Sequence, residues 1–358
     1  MRRVTRARAI RGLLAAAGVV LALPLAASPV GASGLITTRP SDCRAVFNPY
    51  LYTQAAAGAC APTYATTGRT PLAGGGAAQH YTVAGTAVSI LMPPAGFRPE
   101  TATAAQLDEL GFPPRPTNPS DLRQWQKEMR GWTGAAPAPG FLATSPATAD
   151  SVTSLNWSGY VVTGGAGTFT HAEAFYTEPS FGGSVCATNS EVTWAGIGGW
   201  NSGNLAQDGT SHNVPGLANH QAWWEILPAS ITAVNLTAHA GFTFDASTRR
   251  ISGGFRFFLM DSESGQTVAF DVSSSRYDGS SAEAIAERPT VNGSFTNLSN
   301  FGTLTVSTSR ANEKGFDTFS PNGSRHGVHM VDSSGGDMAD PSTISSPGAF
   351  TIAQHHCN

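Results

Sequence analysis

The sequence lacks the short motifs by which many enzymes are recognised. It contains no G-x-S-x-G elbow, no H-E-x-x-H, no Asp-Thr-Gly or Asp-Ser-Gly, and no glycine-rich phosphate or dinucleotide loop. These absences argue against the common serine, zinc and pepsin-type hydrolases and against nucleotide-binding enzymes. A CxxC motif is also absent, so a zinc site is not expected, and neither a metal nor a cofactor is predicted.

Charged residues and long apolar runs are scarce as well. Asp, Glu, Lys and Arg make up 13% of the chain, and residues 151–358 hold 8 basic and 17 acidic side chains, a net charge of −9. An acidic surface argues against nucleic acid or anionic membranes as partners. The apolar run Leu13–Ala27 is shorter than the roughly 20 residues that are needed to span a bilayer.

The N-terminus has the pattern of a secretory signal peptide. Met1–Gly12 carries five arginines and no acid, and Leu13–Ala27 follows as the apolar segment. Val30-Gly31-Ala32 then places small residues before a cleavage site after Ala32. Residues 1–32 are therefore predicted to be removed, and the mature protein to be secreted.

The four cysteines are Cys43, Cys60, Cys186 and Cys357. An even number outside the cytoplasm indicates disulfides. Three pairings are possible, of which Cys43–Cys60 together with Cys186–Cys357 is the simplest. His355, His356 and Cys357 could also ligate a metal, but a C-terminal tail tied down by a disulfide is favoured.

Residues 33–150 are predicted to form a small mixed leader that ends in a linker. The leader has strand-like pieces and two helices, the second capped by Ser120 and Asp121, and residues 134–150 are rich in Ala, Pro, Gly, Ser and Thr. The strand-like pieces are Tyr81–Val88 and Ser89–Met92, and the helices are Thr103–Leu110 and a segment that ends at Arg130.

The second predicted helix carries Arg123, Lys127 and Arg130. These side chains could pair with the acidic C-terminal half at neutral pH, and acid would weaken that attraction. Residues 33–150 are therefore predicted to be a removable prosegment, with a folding or spacer role as the alternative.

Residues 151–358 show almost no helical pattern. Short β-prone runs alternate with Gly, Ser, Asn and Asp turns, and no fixed-period repeat is present. This pattern predicts an all-β domain, an antiparallel sandwich or barrel. The runs are Trp157–Thr163, Thr168–Tyr176, Glu191–Ile197, Gln221–Leu227, Ala233–Phe242, Ile251–Met260, Thr267–Ser273, Ala282–Glu287 and Thr303–Ser307.

Six short motifs follow one another along this half of the chain. They are Asn156–Val161, Trp194–Gly199, Leu205–Gly209, Ala222–Pro228, Ser262–Gln266 and Ala282–Glu287. The series resembles the glutamic peptidases (eqolisins), whose motifs include W-V-G-I-D-G, L-Q-x-G, A-W-Y-E-W-Y-P and A-E-x-I-x-E. The order matches, and bacterial members of that family also have a leader like residues 93–133.

The resemblance implies a fold and an activity. The fold is a β-sandwich of two seven-stranded antiparallel sheets, related to the concanavalin-type lectins, with a cleft across one sheet. The implied activity is an acid-acting endopeptidase that is resistant to pepstatin, needs no cofactor and has polypeptides as its partners. We expect a monomer.

The resemblance also implies a catalytic pair, Gln207 and Glu287. Glu287 would act as general base on a water molecule, and the Gln207 amide would stabilise the oxyanion. Glu283 is the competing acid, because residues i and i+4 of a strand share a face. The two glutamates would lie about 13 Å apart, and the motif assigns catalysis to the second of them, Glu287.

Four further residues match substrate-cleft positions of the family: Trp157, Trp194, Trp224 and Glu225. Trp194 and Trp224 are predicted to form walls for the substrate chain, and Glu225 to be a polar anchor. The sequence departs from the family where Gly198 and Ser211-His212 replace two aspartates and where Trp224 replaces a tyrosine.

Two non-catalytic functions remain open at this stage. A lectin-like sandwich would use exposed tryptophans to stack on sugars. A structural surface protein is supported by composition alone.

Overall fold

The computed structural model describes residues 65–83, 85–132, 141–143, 154–182, 186, 189–200, 202–229, 231–291, 294–321 and 323–357. The signal peptide, Cys43, Cys60 and both predicted domain boundaries lie outside these ranges. Within them, no helix combines the length and the apolar character that crossing a membrane requires.

The described part of the leader contains two α-helices, α1 (Ala104–Glu109) and α2 (Pro119–Met129). Thr103 caps α1 in a capping box with Gln106. The predicted caps of α2, Ser120 and Asp121, are wrong, because the side chain of Asn118 accepts the Ser120 backbone N–H at 2.9 Å. Pro119 occupies the first turn, where its missing N–H costs nothing.

The rest of the described chain is β-structure joined by turns and one short 3-10 helix, Phe316–Thr318. In chain order the strands are β1 (Ala65–Pro71), β2 (Ala77–Val83), β3 (Thr86–Met92), β4 (Phe141–Ala143), β5 (Trp157–Thr163), β6 (His171–Thr177), β7 (Glu191–Gly198), β8 (Leu205–His212), β9 (Gln221–Ile226), β10 (Thr232–Thr237), β11 (Thr243–Ile251), β12 (Gly254–Asp261), β13 (Gln266–Ser273), β14 (Ser281–Glu287), β15 (Thr290–Val291), β16 (Ser294–Phe295), β17 (Thr303–Ala311), β18 (Lys314–Gly315), β19 (Arg325–Val328), β20 (Met330–Val331), β21 (Asp337–Pro341) and β22 (Phe350–Gln354).

The strands form two large antiparallel sheets and a small ribbon of β15 and β16. A 12-stranded sheet runs β1-β2-β3-β13-β12-β11-β6-β17-β22-β21-β20, with β18 beside β17. An 8-stranded sheet runs β19-β5-β14-β7-β8-β9-β10-β4. The predicted all-β sandwich is confirmed, but its sheets are larger than the expected seven strands each. Part of the difference comes from the leader, which adds β1–β3 to one edge of the 12-stranded sheet and β4 to one edge of the 8-stranded sheet.

Alternating side chains from both sheets fill the space between them. Ala282, Ala284 and Ala286 of β14 point inward and share one hydrophobic cluster with Phe257 and Phe270 of the 12-stranded sheet. Small alanines on one sheet against large rings on the other let the two layers approach closely. The opposite face of β14 is therefore left for Glu283, Ile285 and Glu287.

The leader helices cover the outer face of the 12-stranded sheet. Trp125 and Phe112 belong to a second apolar cluster with Phe258 of β12, and the rings of Phe112 and Phe258 are 5.1 Å apart. The predicted pairing of Arg123, Lys127 and Arg130 with the domain is not found, because in the described ranges none of the three makes a salt bridge. All three are exposed to solvent.

A disulfide joins Cys186 to Cys357. This half of the predicted pairing is confirmed, and the bond closes a loop between residues separated by 171 positions. It ties the C-terminal tail to the loop before β7, next to the strands that carry the candidate site.

Candidate active site

The candidate site lies on the outer face of the 8-stranded sheet. Trp157 of β5 pairs with Glu287 of β14, and Ile285 of β14 pairs with Trp194 of β7. Gln207 of β8 pairs with Glu225 of β9. Because the strands alternate their side chains between two faces, the predicted residues of all five strands except Trp224 share one face.

Glu287 is held by two N–H donors. The side-chain amide of Asn156 donates to one carboxylate oxygen at 2.8 Å, and the indole N–H of Trp194 donates to the other at 2.8 Å. Burial raises the pKa of Glu287 to about 7, while the bonds from Trp194 and Asn156 act to lower it. The carboxyl is thus fixed in orientation and titrates near neutrality in this closed site.

The Trp194 indole extends from Glu287 toward Gln207. A Cβ placed on Gly196 would lie 2.9 Å from Trp194 Cζ3 and 3.1 Å from Gln207 Cβ, so the far end of the ring lies beside the glutamine. The ring of Trp157 meets Trp194 edge-on with centroids 5.0 Å apart. Trp194 therefore forms the floor between the two predicted catalytic residues.

Gln207 is oriented by Glu225. The Gln207 amide nitrogen donates to a Glu225 carboxyl oxygen at 2.7 Å, and both side chains are buried. Burial raises the pKa of Glu225 to about 8; the bond from Gln207 lowers it, and the Glu287 charge raises it. Glu225 is therefore protonated at acid pH. The remaining oxygens of Gln207 and Glu225 have no partner in the part of the chain that the structure describes.

Glu287 and Gln207 lie on either side of β7, and no hydrogen bond joins them in the described ranges. Each is a diagonal neighbour of Trp194 in the sheet register. Glu287 is nevertheless close enough to raise the pKa of Glu225, the partner of Gln207. Trp194 thus lies between a carboxyl group and an amide.

Glu283 shares the strand and the face of Glu287, as the sequence predicts. It pairs with Gly196, which in turn pairs with Gln207. Glu283 and Gln207 therefore lie in the same cross-strand row of the sheet, with Gly196 between them. Burial raises the pKa of Glu283 well above its usual range. A carboxyl that stays protonated is a poor general base.

Trp224 is not a cleft wall, and that prediction is wrong. It points inward and packs against Phe257 and Phe270, with ring centroids 5.6 and 6.1 Å away. Its neighbour Trp223 is on the outer face, in one apolar cluster with Trp157 and Trp194. Alternation along β9 could have shown this, because Glu225 and Trp223 must share a face when Trp224 does not.

The departure at Gly198 has a local steric cause, and His212 lies in an aromatic contact. Gly198 has φ +85°, and a Cβ there would lie 2.1 Å from the carbonyl oxygen of Asn204, so this backbone excludes the family aspartate. His212 stacks on Phe181 with centroids 3.7 Å apart. Burial lowers the pKa of His212 to about 4.

Loops pack over this face and nearly close it. Glu287 is 6% exposed and Gln207 4%. The covering apolar residues include Trp200, Val214 and Leu227, which belong to the same cluster as Trp194. Access from solvent to Glu287 and Gln207 requires part of this cover to move. In the described ranges, no group of three or more His, Cys, Asp or Glu side chains could hold a metal ion.

Comparisons with known proteins agree on one family. A sequence model of the Peptidase A4 family matches residues 155–354. Two crystal structures of scytalido-glutamic peptidase, one with a transition state analog inhibitor and one with a peptide-based analog, are similar to the chain. They share 19% and 21% identity with it, with TM-scores of 0.47 and 0.46, and the matches cover 56% of this chain and 98% of each of theirs.

A third similar structure is that of SCP-B, a member of the eqolisin family in complex with the tripeptide Ala-Ile-His. It shares 18% identity at a TM-score of 0.44, over 56% of this chain and 98% of that one. Comparison with curated protein sequences found no match.

Proposed function

The chain belongs to the Peptidase A4 family, the glutamic peptidases, and we propose that it is a secreted, acid-acting endopeptidase with Glu287 and Gln207 as its catalytic pair. The observation that carries the proposal is the set of contacts around Glu287. Two N–H groups fix its carboxyl beside Trp194, and the amide of Gln207 lies at the other end of the same ring.

In the proposed mechanism a water molecule lies above Trp194 between the two side chains. Ionised Glu287 removes a proton from this water, whose oxygen bonds to the scissile carbonyl carbon. The second N–H of the Gln207 amide donates to the oxyanion that forms. Glu287 then passes its proton to the leaving amine as the C–N bond breaks, and the carboxylate is regenerated.

Glu225 has a positioning role in this scheme rather than the substrate-anchor role that the sequence suggests. Its bond to the Gln207 amide nitrogen fixes which end of the amide is N–H and which is carbonyl. One N–H of Gln207 is then directed away from the cleft and the other remains for the oxyanion. As a neutral acid, Glu225 adds no charge that would oppose the oxyanion.

Acid activity requires the site to open. With a pKa of about 7, only about 0.1% of Glu287 would be ionised at pH 4. Burial is the cause of that high pKa, whereas the bonds from Asn156 and Trp194 favour the carboxylate. When the cover moves and water enters, the two bonds remain and the burial effect shrinks, so the pKa of Glu287 falls into the acid range.

The lectin alternative loses its main support. It requires exposed tryptophans, but all seven tryptophans of the chain are buried. Export remains a proposal that rests on the N-terminal signal-peptide pattern.

The test is digestion of casein and haemoglobin by the purified protein between about pH 2 and pH 5, with and without pepstatin. The expected result is internal cleavage that pepstatin does not suppress. An intact substrate at every pH, from protein that is folded by circular dichroism, would contradict the proposal. Complete inhibition by pepstatin would point instead to a pair of aspartates.

A further inference from the structure

Residues 65–132, here called the leader unit, are built into the sandwich rather than placed against it. Strand β3 of this unit pairs with β13, with Ile90 opposite Phe270 and Val88 opposite Val272. Strands β2 and β1 then continue the same 12-stranded sheet. Removing the unit would leave β13 as a new edge with unpaired backbone N–H and C=O groups.

The leader unit also closes the core behind the candidate site. Val88 and Ile90 lie in the cluster between the sheets that contains Phe270 and Trp224. Trp224 packs on Phe270 and is flanked on β9 by Trp223 and Glu225, which face the site. Without β3, Phe270 would be exposed at the sheet edge and the packing behind β9 would loosen.

On the other face of the sheet, the leader helices cover a second apolar surface. The domain contributes Phe175, Phe258, Met260 and Ala269, all of them buried. The leader unit contributes nine buried residues: Ala78, Leu91, Ala102, Leu107, Leu110, Phe112, Trp125, Met129 and Trp132. These thirteen residues form one apolar cluster shared by the leader unit and the domain, which is the character of a permanent interface.

Polar contacts fix the position of the unit on that surface. The Asp108 carboxylate lies against the guanidinium groups of Arg249 and Arg256. The buried Arg310 side chain donates to the Asp121 carbonyl at 3.1 Å. The arginines belong to β11, β12 and β17, so the unit is anchored to three strands of the domain.

By contrast, the leader unit contributes no residue to the apolar cluster that covers the candidate site; all described members of that cluster lie between residues 157 and 328. A removable inhibitory segment would be expected to contact the catalytic residues. The contacts of this unit are instead those of a structural part.

We propose that the leader unit is a permanent structural part of the folded protein, and that it stays bound when the chain is cut between Trp132 and Phe141. This differs from the prosegment interpretation of residues 33–150, because a cut in the linker would then produce a two-chain protein and not a free domain.

The experiment introduces a recognition sequence for a site-specific protease within residues 134–140 of the full chain. The protein is cut at pH 7, moved to pH 4 and examined by native size-exclusion chromatography, intact mass and thermal unfolding. We expect the two fragments to elute together in a 1:1 ratio and to unfold in one transition.

Separation of the fragments overturns the proposal, because the unit then does not stay bound. The unfolding midpoint of the separated residues 141–358 would show in addition whether the domain needs the unit for its stability.

A matched pair of variants tests the interface itself. Trp125 is buried against the domain, while Arg123 lies on the same helix and is exposed. In the cut protein, Trp125→Ala should raise the dissociation constant of the fragments at least about tenfold, a change of roughly 1.4 kcal/mol, and Arg123→Ala should leave it unchanged. Equal effects of the two variants would contradict the assigned interface.

The same samples can be assayed for peptidase activity, a measurement that rests on the proposed function. Failure of the peptidase proposal and failure of the leader-unit proposal give different results in this assay. If uncut and cut proteins both fail to digest casein, the peptidase mechanism is in doubt while co-elution still decides the fate of the leader unit. If the cut protein gains activity only after the unit has separated, the unit is a prosegment and the proposal is wrong.

Discussion

At the scale of single residues, the protonation of Glu287 depends on opposing effects that can be separated. Burial raises its pKa, and the N–H groups of Trp194 and Asn156 lower it. Removing one donor should therefore raise the pKa further. The general base would then be ionised only at higher pH, and the acid limb of the activity profile should move with it.

The matched variants Trp194→Phe and Trp223→Phe test this effect. Both keep an aromatic ring on the same face, but Trp194 donates to Glu287 whereas Trp223 donates to the Thr210 carbonyl. We expect Trp194→Phe to move the acid limb of kcat/KM upward by about one pH unit, and Trp223→Phe to leave it in place. Equal shifts in both variants would show that the Trp194 bond does not control the base.

Glu225 gives a second prediction at this scale. Because its pKa is about 8, Glu225 should lose its proton on the alkaline side of the pH–activity profile. The resulting carboxylate would place a negative charge near the oxyanion. Glu225→Gln keeps a neutral acceptor, so it should retain activity within a few-fold and remove that alkaline limb. Glu225→Leu leaves Gln207 without its partner, and kcat should fall by about 10- to 100-fold.

A purely structural Glu225 would give a different pattern. Both variants would then lower stability, and neither would change the pH dependence of kcat/KM. Thermal unfolding measured beside the kinetic profiles distinguishes the two cases.

At the scale of elements, the outer face of the 12-stranded sheet carries an excess of buried carboxyls. Asp245 of β11 is buried near Glu173 of β6 and Glu128 of α2, with Arg310 of β17 as the buried cation and Asp208 of β8 more remote. Burial raises the pKa of Asp245 well above its usual range, and Glu173 and Glu128 add to the effect.

The sign of the pH dependence follows from this. The folded protein holds the proton of Asp245 more tightly than the unfolded chain does, so its contribution to stability is fully present below about pH 4 and declines as the pH rises. Asp245→Asn should therefore raise the thermal midpoint at pH 7 while changing it little at pH 4. The expected gain in the free energy of unfolding at pH 7 is about 1–3 kcal/mol.

Asp271→Asn is the control for this prediction. Asp271 lies on the same sheet but accepts two hydrogen bonds from Arg256, at 2.6 and 2.9 Å. Its removal should not stabilise the protein at either pH. If Asp245→Asn lowers the midpoint at pH 7, Asp245 is ionised and paired in the folded protein.

The strands also show how much of the fold the sequence predicts. The runs of Val, Ile and aromatic residues predicted β5, β7, β9 and β14 within a residue or so. Strand β11 is not predicted because Asp245, Arg249 and Arg250 interrupt its apolar alternation. Asp245 is buried in the carboxyl cluster, Arg249 contacts Asp108 of the leader, and Arg250 donates to the Gly254 carbonyl. The burial of this strand comes from a segment more than 100 residues away, which no local pattern reveals.

The candidate site was predictable to the same extent. Motif order selected Gln207 and Glu287, and strand periodicity placed Glu283 on the face of Glu287. The orientation of Trp224 needed the β9 register, and the donors Asn156 and Trp194 needed knowledge of which strands are neighbours. Local patterns therefore predict which residues share a face of a strand. The order of the strands in the sheet decides which of those residues become neighbours.

At the scale of the whole molecule, the Cys186–Cys357 disulfide links the C-terminal tail to the loop before β7. Because the bond closes a loop of 171 positions, chain entropy predicts a stabilisation of about 5 kcal/mol. Replacing both cysteines with serine should lower the free energy of unfolding in urea by that amount. Reductant should lower the stability of the double variant less than that of the parent protein.

The leader unit and the disulfide act on different parts of the same fold. The leader unit closes one edge and one face of the 12-stranded sheet, and the disulfide fixes the ends of the segment that carries the candidate site. The peptidase-like residues 155–354 thus pack against the leader unit and are joined to the C-terminal tail by the disulfide.

The identity of the general base is the central claim, and single-residue variants of the two glutamates on β14 test it most directly. Glu287→Gln and Glu283→Gln are isosteric, share one strand face and differ in their contacts, since only Glu287 accepts bonds from Asn156 and Trp194. Casein digestion from about pH 2 to pH 7 is compared after both variants are shown to unfold cooperatively with a midpoint no lower than that of the parent protein. We predict that Glu287→Gln loses at least about 1,000-fold in kcat and that Glu283→Gln remains active. A fully active Glu287→Gln beside an inactive Glu283→Gln would contradict the assignment.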